Sequence, residues 1–432
     1  MASWCEAGLG VCLFVLPILL ALVPRGAAPL GAVAGLCAAG AVAAGLPALS
    51  PPSRWAMGRW AAGRWAALRV PAALFGLLLL WGGLSALWAI QPAHSLMKEI
   101  QLAGLFAAAL ALAAAARSIG DPRRLALLTI AGTALGLAVA WCDFATSGGL
   151  SRHITVRPFA PPRLNQIAAW LAIMALPVAA LLVGRGRVLL GVAAGCAMGG
   201  TVLLLDGTAA KTALALSLPV AALLWLRPRP VARIAAALTA VAVLTAPLTL
   251  PLLADHPLVL RDADAFKTSF GHRLLIWDFA GERIADRPLL GWGLDASRSI
   301  PGGKELIRTD QRRLPLHPHD AALQVWLELG LPGAILSALL LGWLWLRLAG
   351  APWPRLYAAA AGGGLAAASA VMSAGWGVWQ EWWIATLSLA AFAILVMARA
   401  IADPATANPA ITDRAADRAT PPPRSGSRAC GR

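Results

Sequence analysis

Two histidines, His317 and His319, stand at the entry to a long apolar run, LHPHDAALQVWLELGLPG (residues 316–333). A histidine that is mostly neutral near pH 7 can take a proton from a hydroxyl, so the pair offers a general base. Asp320 follows directly. It is either a first-turn residue whose charge the helix dipole favours, or a carboxylate that raises the basicity of the neighbouring imidazole. The same histidines would also suit a plain helix cap at a membrane interface. His317-x-His319 is half a zinc site as well, although no Cys or Glu stands beside it at ligand spacing.

Positive charge is the second ingredient. Arg157 and Arg163 lie in CDFATSGGLSRHITVRPFAPPRLNQIAAW (residues 142–170), and Arg273 and Arg298 in GHRLLIWDFAGERIADRPLLGWGLDASR (residues 271–298). Arginine presents a forked, permanently charged donor set that matches phosphate oxygens. Lys211 falls in a short break, Asp206 to Thr212, between two apolar spans. A lysine at membrane depth is costly unless paired or facing water, so Lys211 is either a binding residue or the ion-pair partner of Asp206. Asp262-Ala263-Asp264 has the form of a glycosyltransferase metal triplet, a pattern common in polar loops. Phosphate-binding Gly-rich loops, Gly-x-Ser-x-Gly elbows and paired Cys-His arrangements are missing, which disfavours nucleotide-driven and serine-hydrolase chemistry.

The elements that must position these residues are membrane helices. The chain of 432 residues is 59% hydrophobic and 13% charged, outside the range of soluble domains. Apolar runs long enough to cross a hydrocarbon core recur near 9–23, 28–48, 71–90, 99–116, 124–142, 164–184, 188–205, 209–226, 232–252, 321–346, 356–375 and 382–400. The expected fold is therefore an all-α integral membrane protein, a bundle of about 12 transmembrane helices with one long, partly helical loop. Residues 1–252 hold the first nine helices, 253–320 the loop, 321–400 the last three helices, and 401–432 a disordered tail. Within the loop, a helix is expected from Arg273 to Asp286, stopped by Pro288.

The net charge of +16 is explained by topology better than by nucleic acid. Arg54, Arg59, Arg64 and Arg69, three of them followed by Trp, read as a cytoplasmic interfacial loop. Alternation then puts the other arginine-rich loops and both termini in the cytoplasm. The 142–170 segment, the Lys211 break and the Asp255 to His319 loop fall on the opposite side, where clustered arginines call for an anionic ligand. The six cysteines are scattered without a Cys-x-x-Cys pair, so neither a disulfide framework nor a zinc ribbon is indicated. Residues 9–23 lack a basic n-region and read as a retained helix rather than a signal peptide.

The histidine segment and, in order ahead of it, three further segments resemble the O-antigen ligase and polymerase superfamily of bacterial membrane proteins. His319, a nine-residue spacer after Asp320, and Gly330-x-x-Gly333 resemble its histidine signature, with Asp320 where the family carries Asn, Ser or Gln. Gly271, Arg273, Trp277 and Pro288 to Gly293 resemble its Gly-x-Arg-x-x-x-Trp and Pro-Leu-Leu-Gly-x-Gly elements. Ala210-Lys211-Thr212 and Arg163-Leu164-Asn165 resemble two further elements, each with a substitution. The resemblance implies transfer of a glycan from an undecaprenyl pyrophosphate carrier to a hydroxyl of the lipid A core, on the periplasmic face of the inner membrane, with no cofactor and no metal. It implies His319 as base and Arg273, with Arg157 or Arg163, and Lys211 toward the pyrophosphate, with His317, Asp320 and Arg298 supporting. Within the class, O-antigen polymerase and protein O-glycosyltransferase stay open. Outside it stands a transporter of an anionic solute, for which the internal repeat of many transporters is not evident.

Overall fold

A computed structural model describes residues 2–44, 68–155, 159–308 and 310–402. Arg54, Arg59, Arg64, Arg157 and the tail from 403 lie outside the described residues. Each of the twelve apolar stretches is a helix. In chain order these are α1 (Ala2–Leu22), α2 (Ala27–Ala44), α3 (Arg69–Ser85), α4 (Pro92–Ala115), α5 (Pro122–Ala145), α6 (Asn165–Gly184), α7 (Val188–Leu204), α8 (Thr208–Leu226) and α9 (Pro228–Thr249). Three short or polar helices follow, α10 (Pro251–Asp255), α11 (Pro257–Phe266) and α12 (Thr268–Asp286), and then α13 (Ala321–Ala349), α14 (Arg355–Met372) and α15 (Glu381–Ala402). Nine of the described helices are long and apolar enough to cross a membrane; α3 and α7 are apolar but shorter. The protein is a helical, multi-pass membrane protein.

Sequence punctuation sets the helix starts. Pro opens α4, α5, α9, α10 and α11, where its missing N–H has no intrahelical partner to lose. The side chain of Asp121 caps α5 by accepting from Arg124 N at 2.9 Å. Small residues then let backbones touch. A Cβ on Gly132 of α5 would lie 2.2 Å from the carbonyl oxygen of Phe14, and one on Gly363 of α14 would lie 2.9 Å from that of Ser217. The most enclosed helix is α6, with Trp170 and Met174 fully buried among α1, α7, α14 and α15. By contrast, Leu36, Leu189 and Leu248 are exposed, as lipid-facing positions are.

The loop between α9 and α13 departs from expectation in two ways. Helix α12 begins at Thr268, five residues before Arg273, because Gly271 lets it lie directly against Asp264 of α11. It ends at Asp286 as expected, where Pro288 forbids continuation. The loop also carries a small antiparallel ladder, β1 (Leu306–Arg308) with β2 (Gln311–Arg312), a local addition to an otherwise all-α fold. A hairpin this short has no hydrophobic alternation to reveal it.

Candidate active site

The first turn of α13 is organised by Asp320. Its carboxylate accepts from Leu323 N at 2.8 Å, making it the N-cap. Of its two sequence readings the cap is the one formed; burial pushes its carboxyl up to about 6 against the opposing backbone N–H bonds. Immediately before it, His319 sits at φ 60°, a left-handed conformation that side chains with a Cβ seldom adopt. Three contacts hold it there. The Trp277 indole donates to the carbonyl of Pro318 at 3.0 Å, His319 N donates to His317 Nδ1 at 3.1 Å, and His319 Nδ1 meets the Gly375 carbonyl at 2.9 Å.

These bonds assign the tautomers. Only a protonated Nδ1 can bond a carbonyl, so His319 carries its hydrogen there and keeps Nε2 as a bare acceptor. His317 accepts at Nδ1 and so presents Nε2–H as a donor. The rings lie 4.3 Å apart, centroid to centroid. Burial lowers His317 to about 3, helped by His319, Arg298 and Arg273. Burial also lowers His319 to about 4, the Gly375 bond opposing and the charges of Arg273 and His272 assisting. Both imidazoles are neutral at pH 7.

Helix α12 brings Arg273 to this pair. The Arg273 guanidinium is largely buried, its pKa lowered by desolvation, and it forms no hydrogen bond or ion pair among the described residues. One turn on, Trp277 supplies the bond to Pro318, so a single helix delivers both the cation and the clamp on the histidine segment. Asp264 is engaged by Arg308 at 2.8 and 2.7 Å, and Asp262 by Arg261 at 2.9 Å. The triplet thus serves arginines, and among the described residues no three His, Cys, Asp or Glu side chains converge as metal ligands do.

The remaining candidates are spread along the same end of the bundle. Arg298 is exposed on a 3-10 turn, Ala296–Ser299, and its charge bears on His317 and Glu381. Arg163 donates to Thr155 Oγ1 at 2.8 Å, just ahead of α6. Lys211 lies in the first turn of α8 and makes no ion pair with Asp206. Neither Arg163 nor Lys211 hydrogen-bonds the histidines.

The apolar helix behind the histidines is broken, which the spacing did not foretell. Gly330 of α13 has φ 61° and ψ −158°, and Pro332 follows. The loop Pro288–Gly293 repairs the break. Trp292 N and Gly293 N donate to the carbonyls of Leu327 and Glu328 at 2.9 Å each, and Leu331 N donates to Pro288 O at 3.0 Å. The Trp81 indole covers the Leu329 carbonyl at 2.7 Å. A Cβ on Gly291 would fall 2.4 Å from the Glu328 oxygen, and one on Gly330 2.4 Å from the Leu289 oxygen, so both positions require glycine. The two glycine elements are two sides of one contact.

A model of the O-antigen ligase family matches residues 193–338. Over that stretch the chain is similar to the O-antigen ligase family. Similar proteins are named as candidate polysaccharide ligases: one from Rickettsia conorii is 40% identical over 106 residues, 23% of this chain and 26% of that protein. One from Rickettsia felis is 37% identical over 107 residues, with the same shares. A relative from Rickettsia bellii is 26% identical over 313 residues, 71% of this chain and 75% of its own. The matches thus span about a quarter of the first two relatives. The matched residues include Lys211, Arg273, Arg298, His317, His319 and Asp320 and also the break in α13, whereas Arg163 and the Gly375 carbonyl lie outside the match.

Further polar groups, missed by the sequence reading, gather around the candidate site. Lys98 bonds Glu381 and lies 3.6 Å from Asp295, which also meets His94 at 2.9 Å. Gln324 and Glu328 are buried on α13, Gln324 against the same Gly377 that packs on His317. A carboxylate inside an apolar run, one turn after a glutamine, was the available signal.

Proposed function

We propose that this chain is an O-antigen ligase, a glycosyltransferase that moves a glycan from an undecaprenyl pyrophosphate carrier to a hydroxyl of the lipid A core. The observation that carries the reading is the neighbourhood of a neutral His319, Nε2 bare, and an Arg273 guanidinium with no hydrogen-bond or ion-pair partner among the described residues. His319 Nε2 takes the proton of the acceptor hydroxyl as its oxygen attacks the anomeric carbon. The bond from that carbon to the pyrophosphate oxygen breaks, and the carrier leaves with the electron pair. A single displacement of this kind inverts the anomeric centre and requires neither nucleotide nor metal. Arg273 meets the charge developing on the pyrophosphate, where preorganised donors contribute most. Arg163 and Lys211 are assigned to the pyrophosphate as well, Arg157 joins them from its sequence alone, and His317 Nε2–H and Arg298 support the donor.

The site faces the periplasm of the inner membrane in this reading, with both termini in the cytoplasm, on the evidence of the arginine asymmetry between alternate loops. The test is genetic and biochemical. Deleting the gene should leave lipopolysaccharide without polymer on its core while carrier-linked polymer accumulates, and purified protein should join the two. Core bearing a single repeat would replace the ligase reading with a polymerase.

A further inference from the structure

Glu328 is fully buried on α13, and its two oxygens accept four hydrogen bonds. Oε2 accepts from Asp295 N and from the Trp379 indole, each at 2.6 Å. Oε1 accepts from Gln324 Nε2 at 3.0 Å and from the Ser297 hydroxyl. One turn earlier, Gln324 Oε1 accepts from Val378 N at 2.9 Å. The pair therefore fastens two separate pieces of chain to one helix. One is the turn that carries Arg298. The other is the segment 373–380, which runs between α14 and α15.

That second segment touches both histidines. Gly375 supplies the carbonyl that fixes the His319 hydrogen on Nδ1. Gly377 is pressed so closely on His317 and Gln324 that a Cβ there would lie 3.1 Å from the ring and 3.2 Å from the Gln324 oxygen. Between the anchors at Val378 and Trp379 and the Gly375 carbonyl there are only a few residues, so a shift in one moves the other. We infer that Gln324 and Glu328 are positioning residues, which set the tautomer of His319 by holding the 373–380 segment against it. This rests on the reading of His319 as the base. A base needs Nε2 bare; with the hydrogen on Nε2 the ring faces the acceptor as a donor and takes no proton. The two residues touch no reacting atom in this scheme.

Glu328→Gln is the variant to make, because an amide has one acceptor oxygen for donors that now share two. Purified in nanodiscs, it should lose about 10²-fold in kcat with KM little changed, the loss expected for a misplaced catalytic group. The decisive readout is the ¹⁵N spectrum of histidine-labelled protein. Wild type should show His319 as a single Nδ1–H tautomer, and the variant a mixture. Gln324→Met, which releases Val378 N and keeps the side-chain volume, should do the same, and serves if Glu328→Gln does not fold. A slow variant that keeps the single tautomer overturns the inference and leaves these residues merely structural, as does full activity in both variants. Undiminished transfer by His319→Ala would instead remove the base reading while the tautomer result stood.

Discussion

His319 turns Nδ1 to the carbonyl of Gly375 at 2.9 Å, and by doing so leaves Nε2 free of hydrogen and of any protein partner in the described residues. Two segments 56 residues apart in the chain thus decide which nitrogen is available for chemistry.

His319→Ala is expected to reduce glycan transfer by about 10²–10⁴, the usual contribution of a positioned base, while the protein remains inserted and binds donor. His317→Ala should be milder. Transfer by purified protein, with chelator present, measures both, and activity lost on chelation and regained with zinc would point to a metal on the pair instead.

Arg273→Ala should abolish most transfer, and Arg273→Lys should restore only part because the forked geometry is lost. Arg273 also lowers His319, so its removal should move the acid limb of the kcat/KM profile upward. An unchanged limb would separate the two residues.

The pH dependence has a definite sign. With His319 at about 4 in the free protein, the base stays unprotonated well below neutrality, and the acid limb of kcat/KM belongs near pH 4. A bound pyrophosphate offsets the neighbouring cation, so the limb in kcat should lie higher. Stability behaves differently. Unfolding returns both histidines to about 6.5, so the unfolded chain binds more protons from there down to about 4 for His319 and about 3 for His317, and stability falls as pH falls through that window. Thermal midpoints of wild type and His317→Ala across the window measure this, and the variant should lose less.

Gly330→Ala should destabilise the protein, since its φ and ψ lie in a region open almost only to glycine, a strain of about 1–3 kcal/mol before the overlap with Leu289 is counted. Gly104→Ala, in α4 with open space around it, is the control and should be neutral or mildly stabilising. The midpoint of thermal unfolding in detergent compares them.

Orientation is tested with fusions to a reporter that fluoresces only in the cytoplasm. It should be bright at the C-terminus and dark near Lys304. The opposite pattern would move the proposed site to the wrong side for a periplasmic reaction.

The positions of the helices were legible because lipid-length apolar runs leave few alternatives. The histidine and arginine elements stood out as candidates because chemistry restricts which residue types serve. What escaped depends on contacts distant in sequence. Gly330 sits among strong helix formers, and only the Pro288–Gly293 loop shows why the helix breaks there. Asp320 has two plausible roles until Leu323 N is seen to meet it. Glu328 reads as one of nine spacer residues, although it receives bonds from the loop, the helix and the 373–380 segment. Lys98 and Glu381 lie far apart in the chain and meet only in the bundle.

The broken helix also has a consequence for biogenesis. A segment leaving the insertion machinery with the carbonyls of Leu327, Glu328 and Leu329 uncovered would carry bare polar groups into lipid. The chain order avoids this. Trp81 and the Pro288–Gly293 loop are both synthesised before α13, so the groups that satisfy the break are present when it arrives. A version of this protein permuted to begin at α13 would have to insert that helix unattended, and its yield, rather than its final structure, is where the difference would be felt.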